Sequence, residues 1–210
     1  SGIELQPIMS ENVYTTDTQF GKTEELQARV REICGREIIH SVVGAEPLGP
    51  RTPLDALLIC PCTGNTLAKM ALGITDTAVT MAAKAHLRSD RPLVICLASN
   101  DALSANLKNI GSLLTRKCVY FVPMLQDDPE KKPHSLVADF SKLTDTLHAA
   151  EEGQSHDKGN DAADDDAGSR NPLAEHGEGG CRGIAAEGID GIVDGTGDGV
   201  DLGHVADTEG

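Results

Sequence analysis

The sequence predicts an α/β fold in which a doubly wound, mostly parallel sheet carries helices on both faces, as in a Rossmann-like three-layer sandwich. Short apolar runs alternate with helix-like segments along the first 150 of the 210 residues. The runs at 56–60 and 93–98 are apolar throughout, which is typical of parallel strands buried on both faces. Long crossovers between successive strands also favour parallel pairing.

The periodicity of apolar residues in each segment predicts the individual elements. Strands are predicted at residues 3–9, 38–43, 56–60, 93–98 and 119–123. Helices are predicted at residues 22–34, 65–72, 76–89, 102–114 and 135–150. The first of these helices places Leu26, Val30 and Ile33 on one face, as expected of an amphipathic helix. With aromatic residues at only 2%, the core is expected to be aliphatic.

Charge divides the chain into two parts. Residues 1–150 carry 15 Lys and Arg against 17 Asp and Glu, whereas residues 151–210 carry 3 against 16. The second part also holds 14 of the 22 glycines. Such a segment cannot bury enough apolar surface to offset its ordering entropy. We therefore predict one α/β domain at residues 1–150 and a disordered, acidic, Gly/Asp-rich tail at residues 151–210.

Composition argues against several classes of function. An acidic chain with few aromatic residues lacks the basic surface that nucleic acids bind. No apolar stretch reaches the roughly 18 residues of a membrane helix, so we expect neither membrane insertion nor export. Cys60 and Cys62 form a C-x-C without a second pair at zinc spacing, so no metal site is predicted. Cysteines inside apolar runs fit a reducing cytoplasm.

The turn after the third predicted strand is the strongest functional signal. Four small polar residues, Thr63 to Thr66, join an apolar strand to a helix. Thr63 is a favourable N-cap, and Gly64 allows a ligand to approach the backbone. The positive end of the helix dipole at this point favours a phosphate or carboxylate. Thr63 and Asn65 are also ordinary helix-capping residues, so the sequence leaves both roles open.

Other polar segments follow the remaining strands. Ser10 follows the first strand, Asn100 the fourth, and a charged loop at 126–133 the fifth. Ligands of open parallel sheets bind beyond the carboxyl ends of the strands, so these segments are predicted to surround one site. Each residue also has a structural explanation as a turn residue or a solvated charge.

The motifs resemble a family of flavoproteins. Pro61-Cys-Thr-Gly-Asn-Thr66, followed by Ala68-Lys69 and Gly73-Ile-Thr-Asp76, is similar to the P-A-S-A-N-T, A-K and G-I-A-D pattern of this family. The family includes FMN-containing cysteine decarboxylases, and Asn100 stands at the Asn of its P-x-M-N motif. Further segments, Ala45-Glu-Pro-Leu-Gly-Pro50 among them, resemble the B subunits of dipicolinate synthases. The resemblance covers residues 3–150.

The resemblance implies a set of ligand-binding residues. The candidates for binding FMN are Ser10, Thr63, Asn65, Thr66, Thr80 and Asn100. The candidates for binding a dicarboxylate substrate are Asn65, Lys84, Lys131 and Lys132. The three lysines have a simpler alternative as solvated charges, and Thr80 as a residue on a helix surface. No residue is assigned a catalytic role.

The resemblance also implies an activity. A protein of this kind is expected to act with the A subunit of the synthase, the carrier of NADP, to oxidise a dihydrodipicolinate-type precursor to pyridine-2,6-dicarboxylate. The implied setting is the mother-cell cytoplasm during sporulation, and a homo-oligomer is expected. Two alternatives stay open: a non-catalytic protein that organises the A subunit, and a stand-alone FMN-dependent decarboxylase. The second is disfavoured because Leu97-Ala-Ser-Asn100 replaces P-x-M-N.

The chain departs from the family pattern at both ends. Members begin with a strand, a Gly-rich turn and a helix, whereas this sequence opens at what resembles the second strand of the family. The first strand is central in a doubly wound sheet, so we expect a phosphate anchor and core contacts to be missing. After Ala150 the acidic tail has no counterpart in the family.

Overall fold

Strands and helices alternate through most of the chain. The computed structural model describes residues 3–18, 21–49, 51–164 and 181–186. Its strands are β1 (Glu4–Met9), β2 (Leu57–Thr63), β3 (Leu93–Ser99), β4 (Val119–Phe121), β5 (Met124–Leu125), β6 (Leu136–Ala138) and β7 (Cys181–Ala186). Its helices are α1 (Glu11–Thr15), α2 (Thr23–Cys34), α3 (Val42–Ala45), α4 (Gly64–Leu72), α5 (Ala78–Leu87), α6 (Leu107–Leu114) and α7 (Leu143–Asp164), with a 3-10 turn at Phe140–Lys142.

The sheet is mostly parallel, which confirms the predicted Rossmann-like class. Its strand order is β1-β7-β2-β3-β6-β5, and β4 also pairs with β3. β2 and β3 run parallel, from Leu57 opposite Leu93 to Thr63 opposite Ala98. All seven residues of β3 are buried, as its continuous apolar sequence predicts. The antiparallel pairs among the described strands are β3 with β6 and β5 with β6.

Aliphatic side chains form the core on both faces of the sheet. On one face, Ile59 and Ile95 pack with Leu67 of α4 and Val79 of α5. On the other face, Leu58 and Val94 pack with residues of α7, and Leu147 borders this cluster. Alternate residues of β2 and β3 thus point to opposite faces, and each face has its own helical cover.

The predicted strand at residues 38–43 is wrong. Ile39 forms only an isolated parallel bridge with Ile8, and α3 begins three residues later. Ser41 caps α3, and its side chain accepts a hydrogen bond from Gly44 N at 3.0 Å. The capping interaction therefore determines the local conformation, although Ile and Val in this segment favour a strand.

The predicted helix at residues 135–150 is only partly correct. The segment begins with β6 and the 3-10 turn, where Asp139 accepts a hydrogen bond from Ser141 N at 3.0 Å. α7 begins at Leu143 and continues to Asp164, beyond the domain boundary predicted at residue 150. Residues 136–138 are Leu, Val and Ala, a sequence that also suits a helix. Pairing with β3 and β5 holds these residues in an extended conformation instead.

The predicted vacancy at the centre of the sheet is filled by part of the predicted tail. β7 pairs in parallel with β1 from Cys181 opposite Glu4 to Ala186 opposite Met9. On its other side, Ile184 lies opposite Leu58. The structure thus describes residues 151–164 as part of α7 and residues 181–186 as β7, and disorder in the acidic tail stays a prediction. Residues 165–180 and 187–210 lie outside the described residues.

A buried histidine joins α5 to the start of β3. The His86 side chain is fully buried, and its Nε2 lies 2.9 Å from Pro92 O, to which it donates a hydrogen bond. Within the described part of the chain, the buried Nδ1 has no hydrogen-bond partner. Burial lowers the pKa of His86, and the nearby Arg91 lowers it further, although the bond to Pro92 opposes this shift. Folding therefore favours the neutral imidazole.

The central position of β7 predicts that a proline in this strand lowers stability. Ile184→Pro removes a backbone N–H between two partner strands, at a cost of about 2–3 kcal/mol. The melting temperature should fall by about 4–12 °C. Differential scanning calorimetry measures the shift, and Ile184→Val, which keeps the N–H, is the control. Equal melting temperatures for the proline and valine variants would show that β7 does not hold the sheet together.

The burial of neutral His86 predicts a stability that falls at acidic pH. Below about pH 6.5 the unfolded chain takes up a proton at this residue that the folded chain does not. Stability contributed by His86 is thus present above this pH and declines below it, by at most about 1.4 kcal/mol per pH unit. Urea unfolding of the wild type and of His86→Gln between pH 7.5 and 5 measures the effect. The stability advantage of the wild type should shrink as the pH falls, and parallel profiles would contradict the assignment.

Candidate functional site

Three strand ends converge on one cavity of about 900 Å³. Ser10 follows β1, Thr63 ends β2 and Ser99 ends β3, and all three line this cavity. The convergence follows from parallel pairing, which brings the carboxyl ends of neighbouring strands to one edge of the sheet. The cavity has a size typical of sites for small molecules and cofactors.

Thr63 and Thr66 line the cavity and also cap α4. Thr66 N donates a hydrogen bond to Thr63 Oγ1 at 3.4 Å, and Thr63 Oγ1 donates to Thr66 Oγ1 at the same distance. Both side chains are buried. The capping role that the sequence left open is therefore present, and the cap fixes the turn that borders the cavity.

Asn65 and Asn100 place exposed amide groups at the same cavity. Among the residues that the structure describes, none forms a hydrogen bond with the Asn65 side chain. Asn100 Oδ1 accepts a hydrogen bond from Ser135 Oγ at 3.5 Å. An amide both donates and accepts hydrogen bonds, so Asn65 is suited to contact a polar ligand.

Gly64 packs directly against the segment that follows β3. A Cβ placed on Gly64 would lie 2.5 Å from Ser99 Oγ and 2.6 Å from Asn106 Nδ2. These distances are shorter than non-bonded atoms tolerate, so only glycine fits without a shift of its neighbours. The first residue of α4 and the end of β3 therefore form one closely packed wall of the cavity.

A polar network behind this wall was missed by the sequence analysis. Asp101 Oδ1 accepts hydrogen bonds from Ser99 Oγ at 2.5 Å and from Asn106 Nδ2 at 2.8 Å. Asn109 Nδ2 in turn donates to Asn106 Oδ1 at 2.8 Å. The run Ser99-Asn100-Asp101 after a strand was a signal for Asp101. No local signal points to Asn106 and Asn109, because their role depends on how α6 packs against α4.

Charges of both signs line the cavity. Lys69 Nζ lies 3.0 Å from Asp76 Oδ2, so this lysine already forms an ion pair within the protein. Lys108 on α6 adds a second cation, and Glu11 and Asp101 add carboxylates. The cavity is thus electrostatically mixed, with lysines on α4 and α6 and carboxylates at Glu11 and Asp101.

Two candidates from the sequence lie at a different cavity, of about 320 Å³. Thr80 forms a capping box with Thr77, in which each backbone N–H donates to the other hydroxyl at 3.1 Å. Lys84 lines the same smaller cavity one turn further along α5. Neither residue lines the larger cavity, although Thr77 does.

The two lysines of the charged loop also lie apart from the larger cavity. Lys132 Nζ lies 3.4 Å from Asp127 Oδ2, and Lys131 Nζ lies 3.9 Å from Asp128 Oδ2. These pairs connect residues of the same loop. Each lysine is thus paired with an aspartate of its own loop, in agreement with the alternative that the two lysines are solvated surface charges.

The described ranges contain no cluster of His, Cys, Asp or Glu suited to hold a metal ion. No helix in these ranges combines the length and the hydropathy that crossing a bilayer requires.

Comparison with known proteins identifies the family. The family model described as Flavoprotein matches residues 2–149. The chain belongs to the flavoprotein family. The matched segment contains β1 to β6 and every residue described above at the larger cavity.

Two members of the family are 44% identical to this chain over the aligned residues. The B subunit of dipicolinate synthase from Bacillus subtilis (strain 168) is 44% identical over 149 residues, which are 71% of this chain and 74% of the relative. The crystal structure of the dipicolinate synthase B subunit from Bacillus halodurans is also 44% identical, with a TM-score of 0.66. It covers 72% of this chain and 78% of the solved one.

A more distant relative is the flavin prenyltransferase UbiX of Pseudomonas aeruginosa. It is 30% identical over 110 residues, which are 48% of this chain and 53% of the relative. The 44% identity to the two dipicolinate synthase B subunits confirms the resemblance that the motifs indicated.

The close packing at Gly64 predicts opposite effects of the same substitution at two glycines. Gly64→Ala forces a methyl group against Ser99 and Asn106 and should lower stability by about 1–3 kcal/mol. Gly111→Ala in α6 meets open space and should raise stability by about 0.5–1 kcal/mol. Chemical denaturation of both variants measures the two shifts. A Gly64→Ala protein as stable as Gly111→Ala would show that the wall is not closely packed.

Proposed function

We propose that the larger cavity binds FMN and that the chain acts as the B subunit of a dipicolinate synthase. The observation that carries the proposal is the convergence of Ser10, the Thr63–Thr66 turn and Asn100 on one cavity. Membership of the flavoprotein family and 44% identity to the B subunit of a dipicolinate synthase support it.

The residues at the cavity suit a flavin. The amides of Asn65 and Asn100 offer donors and acceptors for the polar edge of the ring system. Gly64 leaves the backbone at the start of α4 accessible, and the hydroxyl of Ser10 adds a third polar contact. Bound FMN supplies the capacity for hydride transfer, and the protein supplies orientation and a partly enclosed environment.

The proposed reaction is the oxidation of a dihydrodipicolinate-type precursor to pyridine-2,6-dicarboxylate. The A subunit is proposed to carry NADP and to meet this chain in the mother cell of a sporulating bacterium. The Bacillus subtilis relative is named as one subunit of a synthase, which supports a partner of a second kind. Lys131 and Lys132 would contact the dicarboxylate only if their loop moved toward the cavity, because each lysine is now paired within the loop.

Exposed leucines on two contacting helices support a protein partner. Leu72 at the end of α4 lines the cavity and is 73% exposed, and Leu107 and Leu114 of α6 are both more than half exposed. Exposed apolar patches mark interaction surfaces. We propose that the A subunit or a second copy of this chain covers them.

The proposed role of Asn65 predicts a loss of flavin affinity on substitution. Asn65→Leu keeps the size of the side chain but removes its amide, and Thr63 still caps α4. The loss of two hydrogen bonds worth about 1 kcal/mol each lowers the affinity for FMN about 30-fold. Fluorescence titration of FMN, with and without the A subunit, measures the change, and the melting temperature should stay the same.

The control variant is Lys84→Met, at the smaller cavity, which should bind FMN as tightly as the wild type. Equal affinities of the wild type and Asn65→Leu would reduce Asn65 to a surface residue. A wild type that binds no FMN under either condition would favour a non-catalytic protein that organises the A subunit.

A further inference from the structure

Hydrogen bonds hold both the side chain and the backbone of Asp101 at the larger cavity. Its Oδ1 accepts two hydrogen bonds, from Ser99 and Asn106. Its backbone oxygen accepts three more, from Ser104 N at 3.0 Å, Asn106 N at 3.1 Å and Ser104 Oγ at 3.2 Å. Both the position and the rotation of the carboxylate are therefore fixed by the protein, before any ligand binds.

Asp101 is ionised at neutral pH. Partial burial raises the pKa of its carboxyl group, but the hydrogen bonds from Ser99 and Asn106 outweigh this and hold the pKa below its usual value. Both donors favour the charged form, because a carboxylate accepts a hydrogen bond more strongly than a carboxylic acid does.

The carboxylate of Asp101 lies beside the N-terminus of α4. A Cβ on Gly64, the first residue of this helix, would lie 3.0 Å from Asp101 Oδ1. A negative charge at this point interacts favourably with the helix dipole. The sequence predicted that a phosphate or carboxylate of the ligand would take this position. The structure instead places a carboxylate of the protein there, and a second anion at the same point would be repelled.

The second oxygen of this carboxylate takes no part in the hydrogen bonds from Ser99 and Asn106. Both of these bonds reach Oδ1, and the side chain lines the cavity. An ionised carboxylate only accepts hydrogen bonds, so a ligand group beside it must be a donor. The flavin ring carries an N–H, and its ribityl chain carries hydroxyl groups. Pyridine-2,6-dicarboxylate at neutral pH carries no such donor. FMN also carries a phosphate, and the same repulsion requires this group to lie away from Asp101 and the start of α4.

We propose that Asp101 selects the ligand of this cavity, favouring a hydrogen-bond donor of the flavin class and disfavouring a small dicarboxylate. The inference rests on the proposed function, because it decides which of the two expected ligands the cavity holds. The dicarboxylate substrate would then bind elsewhere, against the bound flavin or on the A subunit.

The test compares ligand affinities of the full chain and of Asp101→Asn. The amide oxygen of asparagine can still accept from Ser99 and Asn106, whereas its NH₂ group replaces the second oxygen. FMN should bind at least about tenfold more weakly to the variant, and pyridine-2,6-dicarboxylate about tenfold more tightly. Asp145→Asn on α7 makes the same chemical change away from the cavity and should leave the ratio of the two affinities unchanged.

A second measurement needs no flavin. Inorganic phosphate is titrated against both proteins, and the backbone amide signals of Gly64 and Asn65 are followed by NMR. Phosphate should shift these signals in Asp101→Asn but not in the wild type, because the variant lacks the charge that repels it. If the asparagine variant does not fold, Asp101→Ala is used in the same way.

The outcomes separate the two proposals. A wild type that binds no FMN would remove the proposed function, and the phosphate titration would still test the role of Asp101. The role of Asp101 is overturned if the variant keeps the affinity ratio of the wild type, or if phosphate shifts the amide signals of both proteins equally.

Discussion

The parallel pairing of β2 with β3 is the constraint on which the binding cavity depends. This pairing sets Thr63 opposite Ala98, so that the two strands end at the same level. The chain then turns into α4 on one side and into the Asp101 network on the other. At the point where they meet, Gly64 lies too close to Ser99 and Asn106 to carry a side chain. A shift of one strand against the other would therefore separate the cap of α4 from the network that supports it.

The parts of the fold that depend on local pattern were predictable from the sequence. The continuous apolar runs at 56–60 and 93–98 became β2 and β3, and the alternation of elements gave the correct fold class. The errors fall where two local preferences compete. At 38–43 the Ser41 cap prevails over β-propensity, and at 135–142 sheet pairing prevails over a helical pattern. The pairing of β7 depends on a vacancy between β1 and β2, which no local pattern of Cys181–Ala186 reveals.

In the candidate site, too, the residues that follow from local pattern were predictable, and those that depend on tertiary packing were not. The turn at Thr63 and the positions of Ser10 and Asn100 follow from strand ends, and all three line the cavity. Lys84 lines the smaller cavity instead, because the face of α5 that packs on the core determines where this side chain lies. The environment of Asp101 is decided by Asn106, which comes from a helix that the sequence alone does not orient. This environment changes the chemical interpretation of the start of α4, where a carboxylate of the protein stands in the place predicted for an anionic group of the ligand.

A crystal structure of the protein with saturating FMN would show whether a flavin binds where β1, β2 and β3 end. We expect electron density for the flavin in the larger cavity, in contact with Asn65 and with a ring N–H or ribityl hydroxyl facing Asp101. Density at the smaller cavity beside Lys84, or an empty larger cavity at saturating FMN, would contradict it.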